Sequence, residues 1–161
     1  MIRQATSADA AAIAAIYNHY VLNTSVTFEE QAVSTEQMAE RIGLVQTDGL
    51  PWLVLEKNGE VLGYAYATKW RVRSAYRFSA ECTVYVKEGL SGQGVGSQLY
   101  QQLLAELKAL GIHLAIGGIT LPNAQSVALH EKFGFEKCGH FQQVGFKFEQ
   151  WRDVGYWQKL L

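Results

Sequence analysis

The stretch that decides the fold runs Ser79-Ala-Glu-Cys-Thr-Val-Tyr-Val86, then Lys87-Glu-Gly-Leu90, then Ser91-Gly-Gln-Gly-Val-Gly-Ser97. Its first part alternates and is rich in β-branched and aromatic residues, which predicts a strand. Its last part is a glycine-rich loop. From there Val95, Leu99, Leu103, Leu107 and Leu110 recur at helical spacing, which predicts an amphipathic helix running to about Gly111. A strand, a glycine loop and a helix N-terminus in that order make a phosphate site. First-turn N–H groups have no intrahelical acceptor, the helix dipole favours negative charge, and glycines admit a ligand close to the backbone.

Two familiar phosphate chemistries fit poorly. A Walker A loop needs Lys and then Ser or Thr after its last glycine, whereas Gly96 is followed directly by Ser97. A dinucleotide fingerprint needs G-x-G-x-x-G early in a βαβ unit, whereas these glycines fall at 92, 94 and 96. The loop alone also admits a plain glycine turn capping a core helix.

N-terminal to this centre, Ile2 to Ala5 reads as a short strand. Thr6 and Asp9 have capping-box spacing before a helix with Ile13, Ile16, Tyr17, Tyr20 and Val21 on one face. A loop containing Thr27 and Phe28 follows, and Ser34 to Gln37 starts a second helix with Met38, Ile42 and Val45 inward. Trp52–Lys57 and Glu60–Ala67 flank Asn58-Gly59, a strong hairpin signal. Lys69 to Arg77 is a basic connection. C-terminal to the centre, Leu114 to Thr120 reads as a buried strand, stopped by Pro122. Asn123 caps a short helix to about Phe133, and Gly134 ends it. Phe135–Phe148 and Val154–Leu160 read as two strands joined by a turn. The order β-α-α-β-β-β-α-β-α-β-β predicts an α/β (α+β) fold with a mixed sheet.

Composition narrows the function classes. The 161 residues predict a single domain, 1–161, and 48% hydrophobic with 18% charged residues describes a globular chain. A net charge of −1 gives no general attraction to nucleic acid. Cys82 and Cys138 make no disulfide framework and suit a reducing compartment. The N-terminus lacks a signal-peptide core and no apolar run is long enough to span a bilayer, so a cytoplasmic protein without membrane contact is the expectation. Cys138 and His140 have no companions at metal-ligand spacing, and His130-Glu131 is not H-E-x-x-H, so no metal is expected.

Further stretches are Ile16-Tyr-Asn-His19, Pro51-Trp-Leu-Val54, Glu81 to Val86, Leu121-Pro-Asn123 with Ser126, Leu129-His-Glu131, Gly134-Phe135, and Val144-Gly-Phe-Lys147 through Trp151 to Trp157. In these, over nearly its whole length and in order, the chain resembles the GNAT superfamily and its phosphinothricin/methionine sulfoximine N-acetyltransferase branch. The resemblance implies a mostly antiparallel central sheet, flanked by helices, in which two parallel strands splay apart to admit acetyl-CoA. Val84, Tyr85 and Val86 then pair by backbone with the pantetheine arm. Gly92, Gln93, Gly94, Val95, Gly96 and Ser97 hold the pyrophosphate, with Asn123 and Ser126 on the far side. Gly94-Val-Gly96 fits the family's Arg/Gln-x-x-Gly-x-Gly/Ala loop, but Ser91 stands where that pattern has Arg or Gln. The resemblance also implies a homodimer.

Acetyl transfer from a thioester to an amine needs a deprotonated amine held close to a polarised carbonyl. Alternation puts Glu81, Thr83 and Tyr85 on one face of their strand and Cys82, Val84 and Val86 on the other. Glu81 is the candidate base, against a structural ion pair with Arg71, Arg73 or Arg77. Arg71 and Arg73 match family positions near the substrate, where a guanidinium fork grips a carboxylate; Lys69 and Arg77 are read as surface. Thr83 and Cys82 accompany Glu81 as acceptor-side candidates, although alternation points the Cys82 thiol into packing. Phe28, with Asn18 and His19, lines the substrate side; Lys147 contacts substrate or ends a strand; His130 is a candidate for a catalytic or positioning role. The expected activity is acetyl-CoA-dependent N-acetylation of small amino acid analogues such as phosphinothricin and methionine sulfoximine or sulfone. The alternatives are another small amine or a protein N-terminus as acceptor, and a non-catalytic acyl-CoA-binding module.

Overall fold

The computed structural model describes all of residues 1–161. Seven strands form one sheet: β1 (Ile2–Gln4), β2 (Trp52–Lys57), β3 (Glu60–Lys69), β4 (Ser79–Val86), β5 (Leu114–Leu121), β6 (Glu136–Lys147) and β7 (Gln150–Leu160). Four helices accompany them: α1 (Ala10–Asn23), α2 (Thr35–Thr47), α3 (Val95–Ala109) and α4 (Ala124–Lys132). The strand order is β1-β2-β3-β4-β5-β7-β6. Every neighbouring pair is antiparallel except β4 and β5. That parallel pair is joined for only three residues, Ser79–Glu81 against Leu114–Ile116, and then the strands part. The expected mixed sheet with two splayed parallel strands is therefore what the chain forms.

Local chemistry sets the helix starts. Thr6 accepts from the Ala8 N–H while the Asp9 carboxylate accepts from the Thr6 N–H, closing a 3-10 turn (Ser7–Asp9) that leads into α1, and Ser34 and Gln37 form a capping box at the start of α2. Helix α1 buries Ile13, Ile16, Tyr17 and Val21, and α2 buries Met38, Ile42 and Val45. Helix α3 buries Val95, Leu99, Leu103 and Leu107. It stops at Ala109, short of the expected end, so Leu110 becomes its cap and lies exposed. Its close approach to the sheet depends on Gly63, where a Cβ would meet Val95 at 3.0 Å and the Tyr85 carbonyl at 2.9 Å.

The C-terminal hairpin departs from the sequence reading. Strand β7 begins at Gln150, not near Val154. The turn is only Phe148-Glu149, and both residues have positive φ (52° and 60°), as a tight two-residue hairpin turn requires. Trp151, Arg152 and Asp153 thereby join the ladder opposite Phe146, Gly145 and Phe141–Gln143.

The two faces of the sheet differ. Tyr17 and Tyr20 of α1 pack on Tyr85 with ring centroids 5.3 and 5.1 Å apart, placing α1 on the Glu81–Thr83–Tyr85 face. Helices α3 and α4 lie on the opposite face: the Tyr100 hydroxyl sits 3.4 Å from the Cys82 carbonyl, and Gly117 of β5 backs onto His130. No helix is long and apolar enough to cross a membrane.

Candidate active site

The opening between β4 and β5 is bounded by Glu81 on β4 and Ile116 on β5, the last paired residues. Beyond them Cys82–Val86 bond only to β3 on one side. Val84, Tyr85 and Val86 thus bring strand backbone to the rim of the opening. The Tyr20 hydroxyl occupies the Val86 carbonyl.

The glycine loop meets the same opening. Gly94 is the N-cap of α3 in the left-handed region at φ 82°, and Gly92 lies at φ 78°. The first helical backbone bond runs from the Gln98 N–H to the Gly94 carbonyl, leaving the N–H groups of Gly94, Val95, Gly96 and Ser97 without acceptors in the chain. Four donors at a helix start fit a phosphate group. A Cβ on Gly96 would meet Val86 at 3.5 Å and Leu129 at 3.7 Å, which are ordinary contacts, so the fold itself does not demand glycine there. Gln93 is exposed in the loop. Asn123 caps α4 by accepting from the Ser126 N–H at 3.1 Å.

Glu81 is half-buried on the α1 face and takes part in none of the ion pairs. Burial raises its carboxyl above the ordinary value, and the Arg71 charge only partly opposes this. The structural ion pair is thereby set aside. Thr83 shares this face and accompanies Tyr66, its partner on β3.

The basic connection divides as its chemistry suggests. Arg71 and Arg73 are both exposed, but Arg71 lies 5.0 Å from the Trp70 ring and its charge acts on both Glu81 and Tyr156. Lys69 pairs with Asp48 at 3.2 Å and Arg77 stacks on Phe78 at 4.4 Å, so both are surface residues.

Three candidates are corrected. Cys82 is buried against α3 with its thiol pushed up to about 12, so it packs and does not meet substrate through its side chain. Lys147 is 2% exposed, and its ammonium donates to the Val21 and Thr27 carbonyls at 2.7 and 2.8 Å. It pins the Phe28 loop and has no reach to a substrate. His130 is buried with both ring nitrogens engaged, Nδ1 on the Ser126 carbonyl and Nε2 on the Tyr100 hydroxyl, each at 2.7 Å. A neutral ring with Nδ1–H donating and Nε2 accepting satisfies both bonds, and burial lowers its pKa in the same direction. It positions α4 against β5 and does not face the acceptor.

Phe28 seats its ring on Gly145 of β6, where a Cβ would fall 2.2 Å from two ring carbons. Asn18 ties the same loop through both bonds to the Val33 backbone, and His19 pairs with Glu88 at 3.3 Å. Residues the sequence reading missed complete this side. Tyr156 of β7 meets Trp70 edge-on at 5.8 Å and feels the Glu81 and Arg71 charges. Glu29 binds Arg41 through two bonds of 2.7 and 2.6 Å and accepts from the Tyr17 hydroxyl. Strand register could have found Tyr156, since it lies opposite Gly118 with its ring covering that residue; the Glu29–Arg41 pair has no sequence signal.

A cavity of about 510 Å³ lies elsewhere, between α1 and the β2–β3 turn. Its charged groups are paired among themselves, Arg3 with Asp9 and Glu56, Lys87 with Glu60, and His19 with Glu88. No group of three or more metal-ligating side chains converges anywhere.

Comparison with known proteins agrees with this geometry. A family model described as an acetyltransferase (GNAT) domain matches residues 2–155. A phosphinothricin N-acetyltransferase of Streptomyces viridochromogenes is 40% identical over 98% of this chain and 86% of its own. An L-methionine sulfoximine/L-methionine sulfone acetyltransferase of Salmonella typhimurium is 39% identical over 99% of this chain and 94% of its own. The solved phosphinothricin acetyltransferase of Sinorhizobium meliloti, in complex with AcCoA, superposes with a TM-score of 0.96 at 38% identity, covering 100% of this chain and 88% of that one.

Proposed function

The chain belongs to the GNAT acetyltransferases, and from that membership we propose that it N-acetylates small amino acids, with phosphinothricin and methionine sulfoximine or sulfone as acceptors. The observation that carries this reading is Glu81. It is a half-buried carboxylate with a raised pKa and no ion pair, at the residue where β4 and β5 part. Acetyl-CoA supplies the acetyl group as a thioester, held by the open N–H groups of Gly94–Ser97, with Gly92 and Gln93 in the loop, Val84–Val86 along the arm, and Asn123 and Ser126 opposite. Glu81 accepts the proton that the acceptor's ammonium must lose before its nitrogen can attack. Arg71 and Arg73 hold the acceptor's carboxylate, Thr83 lines the strand side, and Phe28 closes the pocket. Arg71 also opposes the rise in the Glu81 pKa, so the base stays ionised nearer neutral pH.

The working unit is a homodimer of cytoplasmic protein. Support comes from the apolar β6–β7 surface, where Phe141, Val144, Phe146, Phe148 and Trp151 are each more than half exposed, and from two free cysteines. Herbicide resistance follows wherever phosphinothricin is acetylated fast enough.

Thiol release from acetyl-CoA with a panel of acceptors tests the reading. Phosphinothricin and methionine sulfoximine turn over, while their methyl esters, a polyamine and an alanine-starting peptide lag, because none of these offers a free α-carboxylate to Arg71 and Arg73. Preferred turnover of the peptide or the polyamine would move the assignment to that acceptor. No thiol release with any amine would leave a binding module.

A further inference from the structure

The glycine loop, Ser91 to Ser97, contains no charged side chain. Backbone donors solvate an anion but do not cancel its charge, and a cation from another element strengthens the hold on a diphosphate at the start of α3. Helix α4 crosses this point. Leu129 lies 3.7 Å from where a Gly96 Cβ would stand, and the Lys132 ammonium donates to the Ser97 Oγ at 3.1 Å. The Gln125 amide and the Ser91 hydroxyl exchange hydrogen bonds at 3.0 and 3.3 Å, tying the loop's other end to the same helix.

Lys132 is an exposed cation without an acidic partner. It enters no ion pair, and its other neighbour is the Phe133 ring at 5.8 Å. The lysine on the strand side of the loop, Lys87, is committed to Glu60. An ammonium resting on the neutral hydroxyl of Ser97, a residue whose own N–H is open, has a weak bond to give up and a strong one to gain. We propose that Lys132 binds the diphosphate of acetyl-CoA as its neutralising cation, with Gln125 positioning the loop through Ser91. This rests on the acetyl-CoA reading above and assigns a residue outside the loop to the cofactor.

The test compares wild type with Lys132→Gln and Lys132→Arg on three donors: acetyl-CoA, acetyl-3′-dephospho-CoA and S-acetylpantetheine. Exposed charge pairs are weak and charge-assisted hydrogen bonds stronger, so the KM for acetyl-CoA should rise about three- to tenfold in Lys132→Gln. Lys132→Arg should stay close to wild type. The same rise is expected with the dephospho donor, which keeps the diphosphate, and none with S-acetylpantetheine, which lacks it. Salt should weaken wild-type binding more than that of Lys132→Gln. An unchanged acetyl-CoA KM in Lys132→Gln overturns the proposal while leaving the cofactor reading intact. A rise that disappears with the dephospho donor overturns it too, by moving the cation to the ribose phosphate. A rise of equal size with S-acetylpantetheine overturns it as a structural effect. Wild type that fails to bind acetyl-CoA at all overturns the cofactor reading and the proposal together.

Discussion

Replacing Gly145 with Ala tests whether Phe28 is a wall of the acceptor pocket. A Cβ at this position would stand 2.2 Å from two Phe28 ring carbons and 2.8 Å from a third. Carbon atoms in good contact sit about 3.5–4.0 Å apart, so the ring must retreat by at least about 1.3 Å. The loop cannot carry it away as a body, because Lys147 holds the adjacent Thr27 carbonyl at 2.8 Å and Asn18 holds the Val33 backbone. The ring swings outward instead, which its 37% exposure allows. Overpacking costs about 1–3 kcal/mol in a closed core, and a ring with this freedom belongs at the lower end. A fall in Tm of about 2–4 °C is expected for a chain of this size. Activity should suffer more, since misplacing a positioning group by about 1 Å can cost on the order of 100-fold. The assay is steady-state thiol release with phosphinothricin and acetyl-CoA varied separately. The expected outcome is a 10- to 100-fold drop, roughly, in kcat/KM for the acceptor, with the acetyl-CoA KM unmoved. Adding Phe28→Ala removes the clash, so the double variant should match Phe28→Ala alone. A folded Gly145→Ala enzyme with wild-type acceptor kinetics would refute the placement of Phe28 in the pocket.

Three other perturbations follow from the same geometry. Gly96→Ala should leave Tm unchanged, since its Cβ makes only ordinary contacts, yet raise the acetyl-CoA KM by crowding the backbone approach; a KM that stays put removes Gly96 from the phosphate site. Lys147→Met strands two carbonyls inside the protein and should lower stability by about 2–4 kcal/mol in chemical denaturation, with a loss under about 0.5 kcal/mol showing that the ammonium does not pin the loop. Glu81→Gln should raise Tm at neutral pH. The carboxyl's folded pKa is raised, so both states are neutral at low pH, and the native state loses stability as pH climbs from the unfolded pKa to the folded one. The amide escapes that loss, and equal Tm values at pH 4 and a gap at pH 7 are the signature; a gap of the opposite sign would mean an ionised carboxylate with a stabilising partner.

The sequence was most legible where one local rule dominates. The capping box at Ser34 and the turn at Asn58-Gly59 set element ends by short-range hydrogen bonding and stand as read, while the box at Thr6 forms but closes a 3-10 turn that precedes α1. Alternation put Glu81 and Cys82 on opposite faces of β4, and the buried thiol follows that pattern. The C-terminal hairpin was less legible because its turn uses Phe148 and Glu149 at positive φ, residues that carry no turn signal. Lys147 does end β6, as one of its two readings has it, but neither it nor His130 serves a substrate, for a different reason. Each is a polar residue within a matching motif, and only the tertiary structure shows that backbone carbonyls from 126 and 120 residues away, or a tyrosine from 30 residues away, already occupy its polar atoms. Tyr156 was overlooked because its relation to Glu81 exists only across the β5–β7 register.

The most direct measurement of the account is the pH dependence of acetyl transfer to phosphinothricin by wild type and Glu81→Gln. In wild type, kcat/KM for the acceptor should fall as pH drops through the raised carboxyl pKa, so its acid limb lies above the ordinary carboxylate range. In Glu81→Gln, kcat at neutral pH should be lower by roughly 10²–10⁴-fold, that acid limb should be gone, and the acetyl-CoA KM should hold. A Glu81→Gln enzyme that matches the parent rate across the whole pH range would contradict the account, leaving substrate positioning alone to carry the reaction.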